Sequence, residues 1–274
     1  MALIVWRDWA KGATLTDASS GTNVMNTIDS GNVQTRQLGD VARWQFGSES
    51  PDTQSIILQF DFGATKNVNF LAIMGHNLAA ANTVSLDLSD VSVTGNEVLN
   101  DSAQAVWTAG DNDGSYWFYP LGQTYSAQYA EITIAAFSNE VLDIGRIWIG
   151  ESWDANVSMD FSMSIMDRGT KSKARGGSTW ASTRQKLRQI QCRCFGLSDA
   201  NFFGTSADFT SFLEMDQAVG TTGEIIVIPR NDNEHERHRL GVYGTMASNG
   251  PIRVANRTNG GLFTEKTFTV EEDR

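Results

Sequence analysis

Apolar and polar residues alternate one for one along most of this chain, and that period of two decides what it can fold into. Val157-Ser158-Met159-Asp160-Phe161-Ser162-Met163-Ser164-Ile165 alternates without a break. Successive side chains of a strand point to opposite faces, so the segment offers one apolar face to a core and one polar face to water. The segment 55–62 repeats the pattern with Ile56, Leu58, Phe60 and Phe62 inward, and 83–89 and 129–134 follow it. The run 68–74 is nearly continuous in apolar residues and reads as a strand buried on both faces. Segments 143–150, 186–195, 224–229, 238–244 and 263–270 complete the expected strands, and the region 1–35 reads as an extended lead-in. One helix is expected, with Ser206 as N-cap, Asp208 in its first turn, and Phe209, Phe212 and Leu213 on one face before Gly220.

The expected fold is therefore mainly β. It comprises an N-terminal jelly-roll-like β-sandwich over 36–150 and a C-terminal β-sandwich or split barrel over 151–274 with one inserted helix. Charge divides the chain at the same place. Residues 1–150 hold 6 Lys/Arg and 16 Asp/Glu, net −10, and residues 151–274 hold 15 and 16, net −1. So acidic an N-terminal half argues against nucleic acid as its partner, because phosphate binding needs clustered cations. No apolar run is long enough for a membrane helix, and no signal-peptide core follows the N-terminus, so a cytoplasmic site of synthesis without membrane insertion is expected.

The segments 58–63 and 68–78, Leu58-Gln59-Phe60-Asp61-Phe62-Gly63 and Val68-Asn69-Phe70-Leu71-Ala72-Ile73-Met74-Gly75-His76-Asn77-Leu78, resemble the discoidin-like or carbohydrate-module-like sandwich of many phage virion proteins. The strand-and-helix order of the second half is similar to the ring-forming domain of phage tail-tube and distal tail proteins. This resemblance implies a structural component of a phage tail tip or baseplate, in the virion tail. It implies a hexameric ring of copies joining the tail tube to other tail and tip proteins. In familiar distal tail proteins the ring domain comes first; here the order is reversed.

No catalytic constellation stands beside it. His235-Glu236-Arg237-His238 spaces its imidazoles at i+3, where a zincin needs i+4 on a helix, so a solvated turn is the expectation. His76 reads as a hydrogen-bonded strand-end corner. Asp87/Asp90 and Asp111/Asp113 cannot be placed opposite one another as a glycosidase pair. Asp111-Asn112-Asp113-Gly114 lacks the calcium-loop glutamate, its twelfth position being Gly122. Cys192 and Cys194 read as small buried hydrophobes, with a metal site shared between subunits as the alternative. No enzyme activity, cofactor or metal is expected.

Two clusters remain. Trp107, Tyr116, Trp117 and Tyr119 are candidate glycan contacts, since aromatic faces stack on sugars, and they carry the alternative reading of a glycan-binding module for host-surface attachment. The basic arm 168–184 carries Arg168, Lys171, Lys173, Arg175, Trp180 and Arg184, with no acidic residue between 168 and 193. It is the candidate subunit interface, lying on an acidic neighbour, with Trp180 as its anchor and DNA as the rival partner.

Overall fold

A computed structural model describes residues 2–19, 24–47, 54–92, 97–106, 116–135, 141–154, 158–177, 179–182, 184, 186–195, 198–205, 210–251, 253–256 and 262–273. The chain is mainly β, in antiparallel sheets, and its contacts gather into two units. The first, the sandwich unit, comprises 5–152 and 232–239; the second comprises 1–4, 153–231 and 240–273.

The strands drawn wholly or mainly from the sandwich unit are β1 (Leu3–Asp8), β2 (Thr14–Asp17), β3 (Val24–Ile28), β4 (Ala42–Phe46) and β5 (Ser55–Met74), then β6 (Thr83–Ser89), β7 (Glu97–Ala105), β8 (Tyr116–Ala135), β9 (Val141–Ile144) and β10 (Arg146–Trp153); Leu3, Ile4 and Trp153 fall in the second unit. One sheet runs β10-β5-β8-β6-β7, with β2 added to β5, and the other runs β3-β4-β9. The alternation read from sequence sets the layer between them. Ile56, Leu58 and Phe60 of β5 pack with Leu86 and Leu88 of β6 and Ile132 and Ile134 of β8, and Trp44, Leu142 and Ile144 of the smaller sheet share that core. Two sheets closing over one apolar layer make a sandwich.

The segments 55–62 and 68–74, read separately from the sequence, form one strand. β5 continues between them, absorbing the irregularity as a register shift between Asp61 and Lys66, with Gly63 at φ 73°. The run 68–74 is buried on both faces except at half-buried Asn69.

The region 1–35 is not a lead-in. Leu3, Ile4, Val5 and Trp6 of β1 are buried. Arg146, fully buried, donates to Asp8 Oδ2 at 2.6 Å and to the Gln34 carbonyl at 2.7 Å. Gln34 Nε2 donates to the carbonyls of Ala10 and Ala13. Ala10 and Val33 are buried as well, so the described part of this Ser-, Thr-, Asn- and Gly-rich stretch joins the folded body through its apolar residues and these polar links together.

The second unit holds β11 (Ser158–Met166), β12 (Thr170–Lys173), β13 (Thr179–Ser182), β14 (Leu187–Phe195), β15 (Glu224–Ile228), β16 (Val242–Asn249), β17 (Arg253–Asn256) and β18 (Leu262–Glu272). The order is β11-β14-β18-β16-β15, with β17 on β18, while β12 and β13 form a two-stranded sheet of their own. Its helices are α1 (Asp199–Phe203) and α2 (Phe212–Val219). The buried ammonium of Lys266 on β18 is satisfied by Asp216 of α2 at 2.5 Å, Asn249 at 2.6 Å and the Gly250 carbonyl at 3.0 Å, fastening the helix to the sheet.

The expected helix start at Ser206, Asp208 and Phe209 lies outside the described residues. α2 itself is capped by Ser211, whose Oγ accepts from the Glu214 amide at 3.2 Å. A third helix, α3 (Glu234–Leu240), replaces the turn expected at His235–His238, and it joins the sandwich unit. Among the described residues no helix is long and apolar enough to cross a membrane.

Candidate functional site

The aromatic candidates separate on folding. Tyr116 and Trp117 are buried, so neither presents a face to a sugar. They lie on opposite faces of β8, as the period of two requires, and both faces are covered there. Tyr119 is half-buried and stacks on Trp117 with ring centroids 5.2 Å apart. Burial, and then a hydrogen bond to Asp101, push its phenol above the ordinary range. Trp107 lies outside the described residues, as do Asp111 and Asp113.

Charged and nucleophilic candidates resolve as follows. His76 is the corner residue expected: buried, with Nδ1 accepting from the Leu78 amide at 3.2 Å. His238 is also buried, so the expected solvated turn is corrected there. Its Nε2 accepts from the Phe118 amide at 3.0 Å and its Nδ1 donates to the Glu234 carbonyl at 2.8 Å. Desolvation lowers both histidines to about 4. His235 points to solvent from the same helix. Cys192 and Cys194 are buried free thiols, as small hydrophobes on a strand would be. Desolvation raises both, Cys194 to about 12, so neither is poised as a thiolate. Among the described residues no group of three or more His, Cys, Asp or Glu is placed to hold a metal ion.

The basic arm is a β-hairpin. β12 pairs antiparallel with β13, Lys171 opposite Ala181 and Lys173 opposite Thr179, and every residue of both strands is exposed. Trp180 is 70% exposed. Arg168, at the root, forms an ion pair with Glu271, while Arg175 and Arg184 face solvent.

A cleft that the sequence reading passed over lies in the sandwich unit, in the region taken for a lead-in. It has a volume of about 640 Å³ and is lined by Asp17, Met25, Asn26, Thr27, Asp29 and Ser30, among others. That volume falls in the ~300–1,000 Å³ range of small-molecule sites. Asp17 is anchored: Oδ2 accepts from the Trp44 indole at 2.9 Å and Oδ1 from the Ser19 amide at 3.0 Å. The side chains of Asn26, Thr27, Asp29 and Ser30 make no hydrogen bond to another described residue, so their polar groups are free for a ligand. Asp29 sits in the left-handed region, φ 45° and ψ 59°, alone among the described non-glycine residues. Such a conformation costs ~1–3 kcal/mol and persists where the surrounding structure enforces it. The legible signal was the turn composition of Asp29-Ser30-Gly31-Asn32.

No family model matches this chain, and no curated protein matches it. Among solved structures the chain is similar to the family 32 carbohydrate-binding module of Clostridium perfringens NanJ in complex with galactose. The identity is 11% and the TM-score 0.41, covering 54% of this chain and 100% of that one. It is similar to a Streptococcus pneumoniae fucose binding module at 13% identity and TM-score 0.37, covering 53% and 95%. It is also similar to a Ruminococcus gnavus GH29 fucosidase in complex with fucose at 14% identity and TM-score 0.40, covering 54% of this chain but only 27% of that one.

Proposed function

We propose that the sandwich unit is a non-catalytic recognition module that takes carbohydrate in the cleft beside β3. The observation that carries this reading is the cleft's chemistry: amide, hydroxyl and carboxylate groups of Asn26, Thr27, Ser30 and Asp29 that make no hydrogen bond to another described residue, arranged around a strained Asp29. Sugars present hydroxyls that donate and accept, and such a lining answers them without a reacting group. The lining residues include two carboxylates, Asp17 and Asp29, and no Lys or Arg. Neutral or amino-bearing sugars therefore suit the cleft, and uronic or sialic acids are repelled.

A glycan array followed by calorimetry tests the reading. Binding is expected to neutral or amino sugars, and Asp29→Ala with Asn26→Ala should weaken it by about tenfold or more, the loss of roughly 1.4 kcal/mol. Trp107→Ala serves as the control for the aromatic alternative. Binding that survives the cleft substitutions and disappears with Trp107 would move the site to Trp107. An array without any signal would remove the reading.

A second reading, a structural part of a phage tail tip or baseplate, is favoured by the exposed β12–β13 hairpin and by β11. β11 is an edge strand with Ile165 69% exposed. Natural proteins rarely leave an apolar strand edge uncovered. Labelled antibody against this chain should then decorate virion tails in electron micrographs, and undecorated tails would exclude it.

A further inference from the structure

The β12–β13 hairpin is two-faced. Ser172 stands opposite Trp180, whereas Lys171 and Lys173 stand opposite Ala181 and Thr179. Residues paired across strands share a face, and neighbours along a strand alternate. One face therefore carries both lysines with Ala181 and Thr179; the other carries Trp180 with Thr170, Ser172 and Ser182. Trp180 thus cannot anchor the same contact as the lysines, as the basic arm was expected to do. A lone two-stranded ribbon is marginal in water and gains by lying on a surface.

The sandwich unit offers a surface of matching charge. On its outer sheet Gln59, Glu131 and Asp87 stand in one row across β5, β8 and β6. Glu131 accepts a hydrogen bond from Gln59 at 2.7 Å. Asp87 is half-buried, and burial and then the carboxylates of Glu131, Glu97 and Asp101 hold it above its ordinary range. Acidic groups so placed are destabilised until a cation joins them.

We propose that the hairpin is an intermolecular clasp whose lysine face lies on the Asp87–Glu131 row of a second copy of this chain. Lys171 and Lys173 are ~7 Å apart along their strand, and Asp87 and Glu131 are ~5 Å apart across theirs. Two ammonium groups on flexible stems can therefore each meet one carboxylate. Both halves of the contact are present in one sequence, the arm free of acid and the N-terminal half at net −10, so identical copies complement each other head to tail. This inference stands apart from the carbohydrate reading, since it uses neither the cleft nor its residues.

Sedimentation velocity over a concentration series tests it, on the full chain. At low salt the parent chain should self-associate reversibly, and in ~1 M salt, where the screening length is ~3 Å, it should dissociate. Lys171→Glu with Lys173→Glu, and separately Asp87→Lys with Glu131→Lys, should each weaken association at least tenfold. Mixing the two charge-reversed chains should restore it. The lysine substitutions lie on a fully exposed hairpin, so an unchanged thermal midpoint certifies that variant as folded, and its loss of association then stands on its own. A parent chain that stays monomeric up to ~1 mM, the weak end of useful affinity, would overturn the proposal. So would a mixture that fails to restore association. Lysine variants that lose binding to a short DNA duplex and associate as before would also overturn it, assigning the face to nucleic acid.

Discussion

Two buried imidazoles make this chain's stability depend on acid. His76 and His238 are held neutral, lowered to about 4 by desolvation, against ~6.5 in an unfolded chain. Between those values the unfolded chain binds more protons, so stability is complete above ~6.5 and falls as the pH drops through 4. A shift of that size corresponds to roughly 3 kcal/mol for each histidine. Urea midpoints at pH 7 and pH 4 should differ accordingly. His238→Gln, which can still accept from the Phe118 amide without titrating, should remove about half of the difference. An equal difference in that variant would place the acid sensitivity elsewhere. His76 was legible as a corner residue because Gly75-His76-Asn77 ends a strand. His238 was not, because spacing alone said turn, and nothing in the local sequence showed that its ring would reach Phe118, 120 positions away.

At the level of elements, strands were easier to read than helices. A strand's face is fixed every second residue, and β5, β6, β8, β11 and β14 carry that alternation openly. α2 needs only its cap and a few apolar side chains, and its true start depends on which serine is used. Ser211 caps it, so Ser211→Ala should cost about 1 kcal/mol, measured as a lower denaturation midpoint with an unchanged slope. No loss would mean that Lys266, fastened to Asp216, holds the helix without its cap. α3 has seven residues, six of them charged or histidine: Glu234, His235, Glu236, Arg237, His238 and Arg239. It has no apolar stripe to reveal it. The signal that existed was Asn233, whose Oδ1 accepts from the Glu236 amide at 2.9 Å. The candidate cleft escaped for a related reason: its residues are polar and aperiodic, and their meaning depends on what stands across from them.

The whole molecule is less divisible than its composition. Charge and strand pattern both mark a break near Gly150, yet residues 1–4 belong with the second unit and residues 232–239 with the sandwich. A fragment of residues 1–152 would lack His238, leaving the Phe118 amide without its buried acceptor, a loss of ~1–3 kcal/mol. It should melt below the corresponding transition of the full chain, and a synthetic peptide of residues 230–241 added in excess should raise its midpoint. A fragment as stable as the parent, and indifferent to the peptide, would show that the sandwich closes without this segment.

That return of the chain sets an order in time. The ribosome finishes residue 152 well before residue 239, and at about 5–20 residues per second the interval is roughly 4–17 s. For those seconds the described strands of the sandwich are made and α3 is not. The nascent protein must wait, with the Phe118 amide still open, for a late segment to arrive from the tunnel, and a chaperone that recognises unfinished β-structure would find its substrate in that interval.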